Sequence, residues 1–153
     1  LATGVMNSEG ELEVDDDSRK NINKLALDLF YDTPVGTKGG AINALAAYYN
    51  YDFGGSDTFS GGGLVPGSGD IFFGQFGYLL PFKAAGTQFM PYATFSTQKF
   101  DARPNRSHEF AAGLNWFING HFAKVTMEYA TGKQGFEGAE TNNIFTIQTH
   151  IFL

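Results

Sequence analysis

Cysteine is absent from the 153 residues, which excludes a disulfide scaffold and thiolate metal centres. Equally absent is any apolar run approaching the roughly 18 to 20 residues that a membrane-crossing helix needs, so a helical membrane protein is excluded. Charge is sparse, at 17% of residues, and the net charge is −6, a balance that argues against nucleic acid as a partner. The chain opens at Leu1 without an initiator Met, a basic n-region or an apolar h-region; a secretory signal is expected to be removed or to lie outside this segment. No G-x-S-x-G, H-E-x-x-H, P-loop or dinucleotide-binding motif occurs, and His108, His121 and His150 share no metal-ligand spacing. The expectation is therefore no enzyme, no catalytic residues, no metal and no cofactor. The nearest approach to a catalytic pair is His108 with Asp101, which would serve an outer-membrane barrel enzyme, kept as an alternative.

What the chain does have is glycine, 20 residues of it, and 16% aromatics. Its acidity is concentrated: Glu9, Glu11, Glu13, Asp15, Asp16 and Asp17 fall close together beside Ser and Asn. Such a run reads as a solvated loop, with a weak divalent-cation patch as the sharper alternative. From residue 23 onward, apolar and aromatic residues recur at every second position in blocks bounded by Gly, Asn, Asp and Pro. Seven strands are predicted, at 23–32, 40–53, 70–82, 88–99, 108–118, 121–131 and 143–153. A typical strand of a soluble protein has about 5 or 6 residues, whereas these have the length that crosses a bilayer.

The connections predict an orientation. Asn119-Gly120 is a two-residue hairpin signal, and 33–39 and 83–87 are short, whereas 54–69, 100–107 and 132–142 are longer, Gly-rich or polar. Short periplasmic turns and long extracellular loops are the asymmetry of outer-membrane barrels. The sequence thus divides into 1–22, an acidic extracellular loop with a strand remnant, and 23–153, seven C-terminal antiparallel barrel strands. Seven is an odd count, and bacterial single-chain barrels have even ones; further strands are expected outside this segment.

An Asn119-Gly120 turn would set Ile118 opposite His121, Trp116 opposite Ala123, Leu114 opposite Val125, Ala112 opposite Met127 and Phe110 opposite Tyr129, with Asn115 against Lys124 and Ala111 against Glu128 on the other face. Likewise Phe82 would oppose Phe89, Leu80 Pro91, Tyr78 Ala93 and Phe76 Phe95. The apolar set, including Leu114, Trp116, Val125, Met127, Ile147 and Ile151, is expected to face outer-membrane lipid. In 40–53 both parities are apolar, and Leu45, Ala47, Tyr49 and Tyr51 are favoured for the lipid side over Ile42, Ala44, Ala46 and Tyr48. Tyr49, Tyr51, Phe53, Phe72 and Tyr129 at one height and Phe82, Phe89 and Trp116 at the other are expected as interfacial girdles. Pro81 and Pro91 are expected near the periplasmic rim, where pairing can end or bulge. The polar parity predicts a pore lining of Lys24, Asp28, Gln75, Tyr92, Thr94, Ser96, Gln98, Glu109, Asn115, Lys124 and Glu128. His150 is expected on the same side. A soluble lipocalin-like barrel holding an apolar ligand would use the same alternation with the faces exchanged.

The segment Gly113-Leu114-Asn115-Trp116-Phe117-Ile118-Asn119-Gly120-His121, followed by a strand ending Glu128-Tyr129 and by the terminal strand, resembles the last hairpin of the phosphate-selective porin O and P family. Pro91-Tyr92-Ala93-Thr94-Phe95 is similar to a second strand of that family, with Thr94 where Arg is usual. Phe145, Ile147, Thr149, Ile151 and Leu153 resemble an outer-membrane assembly signal, Leu153 replacing its terminal Phe. The likeness is carried by about the last 70 residues. It implies a sixteen-stranded, often homotrimeric antiparallel transmembrane β-barrel in the bacterial outer membrane: a porin passing small hydrophilic solutes or ions by passive diffusion. Anion selectivity is not implied, because Thr94 lacks the Arg charge and the lining carries Lys24 and Lys124 against Asp28, Glu109 and Glu128.

Overall fold

A computed structural model of the chain describes residues 23–52, 67–120 and 122–152, together with the backbone of 4–6 and 12–14. No helix occurs among the described residues. Nine strands do: β1 (Gly4–Met6), β2 (Leu12–Val14), β3 (Asn23–Val35), β4 (Gly40–Asp52), β5 (Gly69–Leu79), β6 (Gln88–Phe100), β7 (Ser107–Asn119), β8 (Ala123–Lys133) and β9 (Thr141–Ile151). β1 and β2 pair antiparallel as a separate ladder, Val5 against Glu13, so part of the expected acidic loop is extended and paired. The rest of the acidic run lies outside the described residues.

β3 to β9 form one antiparallel sheet of seven strands in chain order, as the seven apolar blocks predict. The sheet is open, with β3 and β9 as its two edges. Pro34, which cannot donate to a ladder, is accommodated on edge strand β3 opposite Ala41. Turns 36–39, 80–87 and 120–122 lie at one end, called lower below, where β9 also finishes. Residues 67–68 and the connections 101–106 and 134–140 lie at the upper end. There the described loops are laced together: Asp101 N donates to Ser68 O (2.9 Å), Asn105 N to Gly135 O (3.0 Å) and Gly135 N to the Ser107 hydroxyl (2.8 Å). Arg106 spans to Asp70 at 3.0 Å.

Two registers and one face depart from expectation. In the β7–β8 hairpin Trp116 pairs with Val125, Leu114 with Met127, Ala112 with Tyr129, Asn115 with Thr126 and Gly113 with Glu128, two residues from the predicted partners. The cause is local. The turn runs from Asn119 to Phe122, whose N–H donates to Asn119 O at 3.0 Å, with Gly120 at φ +55°, and the ladder slips between Phe117 and Asn119, leaving Ile118 as a bulge. In the β5–β6 hairpin Phe76 pairs with Ala93 and Gln75 with Thr94, again two residues off. Here β5 ends at Leu79 rather than 82, a bend follows through Pro81 and Phe82, and the tip is Ala84 to Thr87, bonded both ways at 3.0 Å around Ala85 (φ +52°) and Gly86 (φ +80°). The two positive φ values are those of a type I′ turn. The β5–β6 ladder stops at Gly77–Tyr92, next to Pro91, while on its other side Pro91 pairs with Leu114.

The third departure is one of face. β4 joins β3 through Gly40 opposite Val35, so Ala46 pairs with Leu29 and Tyr48 with Leu27. Ile42, Ala44, Ala46 and Tyr48 therefore share the face of the β3 leucines, and Leu45, Ala47, Tyr49 and Tyr51 take the opposite one. Alanines occupy both parities of this strand, so burial gives little preference and the turn at 36–39 fixes the register. Tyr49 and Tyr51, stacked at 6.5 Å, leave the expected girdle; Phe53 lies outside the described residues.

Candidate functional site

Following each pair across the ladder, with side chains alternating along every strand, places Lys24 and Asp28 of β3, Gln75 of β5, Tyr92, Thr94, Ser96 and Gln98 of β6, Glu109 and Asn115 of β7, and Lys124 and Glu128 of β8 on a single face. His150 joins them opposite Lys124. So do Asp32, Asn43 and Thr126, absent from the expected lining. Thr126 has the parity of its neighbours Lys124 and Glu128, which was signal enough. Asn43 was hidden by the inverted parity of β4.

This polar face is the crowded one. Of the buried strand positions, Ala47, Gly77, Phe100, Ser107 and Ala111 lie on it, and Gly40, at the lower end of β4, lies on the other face. Side chains also reach across intervening strands. The Tyr92 hydroxyl donates to Glu128 Oε2 at 2.7 Å, passing over Gly113 of β7, where a Cβ would lie 2.5 Å from the ring. Gln88 Nε2 donates to Leu80 O and to Gly39 O, each at 3.2 Å. Gln75 Nε2 donates to Asn43 Oδ1 and Asn43 Nδ2 to Asp32 Oδ2, both at 3.3 Å, so one relay crosses three strands. Thr126 Oγ1 donates to Asn115 Oδ1 at 2.7 Å.

The opposite face is apolar and open. Leu29 is 71% exposed, Phe76 53%, Ile147 62% and Ile151 68%, and Leu27, Tyr31, Phe72, Phe95, Phe110, Tyr129 and Phe145 are exposed with them. Leu114, Trp116, Val125 and Met127 belong to it, Trp116 stacked on Phe89 at 6.0 Å. These residues give the sheet one apolar face running across its seven strands.

The upper limit of this apolar surface slopes. Moving up each strand, the first amide, imidazole or charged side chain on the apolar face is Asn23, Asn50, Asp70, Lys99, His108, Lys133 and Asn143 on β3 to β9 respectively. Asn50, Asp70 and Lys99 share one hydrogen-bonded row. Asn23 stands two residues higher, because Asn50 pairs with Leu25. His108 and Lys133 share a row two residues lower, and Asn143, opposite Thr131, is two lower again. The limit thus descends about one residue per strand. With about 3.3 Å per residue and about 4.8 Å between strands, strands would tilt by about 35° from the normal to a level boundary.

The rim residues Asp101 and His108 line different clefts. Asp101 borders a cleft with Asn50, Asp52 and Asp70, whereas His108 borders another with Glu109 and Gln134; no hydrogen bond joins them. Among the described residues no three His, Asp or Glu side chains group as metal ligands. Compared with protein families, with curated proteins and with solved structures, the chain gives no match.

Proposed function

We propose that the chain is part of a bacterial outer-membrane β-barrel that acts as a porin, with small hydrophilic solutes or ions diffusing passively along the polar face and lipid covering the apolar one. The sloping apolar limit carries this reading. Strands of transmembrane barrels tilt by roughly 35–45°, and a level membrane surface drawn on tilted strands cuts the hydrogen-bonded rows obliquely, at the slope found here. The lengths of β3 to β9, 11 to 13 residues each, suit such a crossing. A soluble lipocalin-like barrel runs against the same facts, because its crowded interior would have to be the apolar face. Closing the barrel requires strands on the free edges of β3 and β9. The likeness of residues 91–95 and 113–121 to the phosphate-selective porin O and P family supports a sixteen-stranded, trimeric form.

Trp116 is the single tryptophan and reports on the apolar face. In vesicles its emission should be blue-shifted and quenched by brominated lipid chains, and the chain should carry ohmic, unsaturating current across planar bilayers. A detergent-free, monodisperse fold whose Trp116 is unaffected by brominated lipid would overturn the proposal.

A further inference from the structure

Near the lower end of the polar face, five successive strands line a cleft of about 310 Å³, the size of a small-ligand site. Its walls are Leu79, Met90 and Phe117, from β5, β6 and β7, and its polar edge is Asp32, Asn43 and Gln88, from β3, β4 and β6. The hydrogen-bond directions give the site a sign. Both bonds of the Gln88 amide nitrogen go to the Gly39 and Leu80 carbonyls, which leaves its oxygen as the free group. Asn43, held by Gln75, turns its nitrogen to Asp32. The Asp32 carboxylate is exposed, and that amide at 3.3 Å is its sole partner; no ion pair reaches it among the described residues. The unmet capacity at this edge is therefore acceptor capacity beside a negative charge, and the walls are apolar.

We infer that this cleft is a binding subsite for a small amphipathic cation, an ammonium group carrying one apolar ring or short chain, with the ammonium on Asp32 and the apolar part against Leu79, Met90 and Phe117. A carboxylate with spare lone pairs selects a donor cation over an anion of the same shape, and the walls add the apolar contact that an inorganic cation cannot use. The inference rests on the polar face being a solvated lumen, and it makes the turn end of that lumen a place where organic cations pause.

The test uses the full chain folded in detergent with its methionine methyls labelled with carbon-13. Met90 lies in the cleft and Met127 on the opposite face, so Met127 reports both folding and unspecific partition. Phenethylammonium is expected to shift the Met90 signal saturably and to leave Met127 in place. Phenylacetate, with a similar ring and the opposite charge, should bind at least about tenfold more weakly, and Asp32→Asn should weaken phenethylammonium by about tenfold, the worth of one charge-assisted hydrogen bond. Asp101→Asn removes the same charge at the upper end and should not. If Asp32→Asn disturbs the Met127 signal, Asp32→Ser supplies the same comparison. Met90 and Met127 shifting together, or an Asp32 variant that binds like the unchanged chain, would overturn the subsite. The readout needs no current, so a chain that binds the cation without conducting refutes the pore reading alone, and one that conducts without a Met90 shift refutes the subsite alone.

Discussion

Replacing Gly113 by alanine tests whether the polar face is held by the Tyr92 bridge. In a strand, Gly→Ala ordinarily stabilises by roughly 0.5–1 kcal/mol, because glycine loses more backbone freedom on folding. At Gly113 the new Cβ would stand 2.5 Å from Tyr92 Cζ and 2.6 Å from both Cε1 and the hydroxyl oxygen, so the ring must move, and it is tethered to Glu128 at 2.7 Å. A hydrogen bond to a charged acceptor contributes about 1.5–3 kcal/mol. Both partners are only half-buried, and rehydration of the freed carboxylate brings the loss toward the lower figure. Set against the backbone gain, Gly113→Ala should destabilise by about 1 kcal/mol. Gly74 is the internal control: it lies on the apolar face, and its nearest neighbour to a new Cβ is Phe72 at 3.7 Å, ordinary contact, so Gly74→Ala should stabilise by about 0.5 kcal/mol. Urea unfolding of the two variants in detergent, followed by Trp116 fluorescence, reads the difference, and Tyr92→Phe should remove most of the penalty that remains for the bond. Equal stability of Gly113→Ala and Gly74→Ala would refute the reasoning.

Three further outcomes follow from the two faces and the lower turns. Met127→Arg puts a charge on the apolar face and should reduce stability by roughly 2–4 kcal/mol if that position lies near mid-bilayer, measured by unfolding in lipid vesicles; unaltered stability there would exchange the faces. Lys124→Glu reverses a charge on the polar face, where Lys24 and Lys124 stand against Asp28, Asp32, Glu109 and Glu128; the reversal potential in a salt gradient should move toward cation preference, and an unmoved potential would take Lys124 out of the ion path. Ala85, at φ +52°, occupies a conformation that costs a non-glycine residue about 1–2 kcal/mol. Ala85→Gly should therefore stabilise by about 0.5–1 kcal/mol after its own entropy cost, and Ala85→Val should destabilise, both read as shifts in the urea midpoint.

The two hairpin registers and the face of β4 explain how much of this surface was legible in the sequence. Both hairpins were displaced by two residues, once because Ile118 bulges beside Gly120 and once because Pro81 bends the chain before a tip at Ala85-Gly86. Side chains alternate with period two, so a two-residue slip changes every partner and no face. Lys124 lost Asn115 and gained Phe117 as its opposite residue, yet it stayed with Glu128 and Thr94. The single-face lining needed parity alone, and strongly alternating strands supply parity directly. β4 failed for the complementary reason: alanine at 41, 44, 46 and 47 makes both parities nearly equivalent in apolar area, and the decision passed to turn geometry that composition does not encode. The lower cleft depends on more than parity. Asp32, Asn43, Leu79, Met90 and Phe117 must reach the same height on five strands, so every intervening register enters the result, and one of those registers is set by a turn whose positive-φ residues include an alanine, Ala85. A surface that depends on alternation can thus be read along one chain segment at a time, whereas a subsite that depends on relative strand height emerges only when the turns have fixed it.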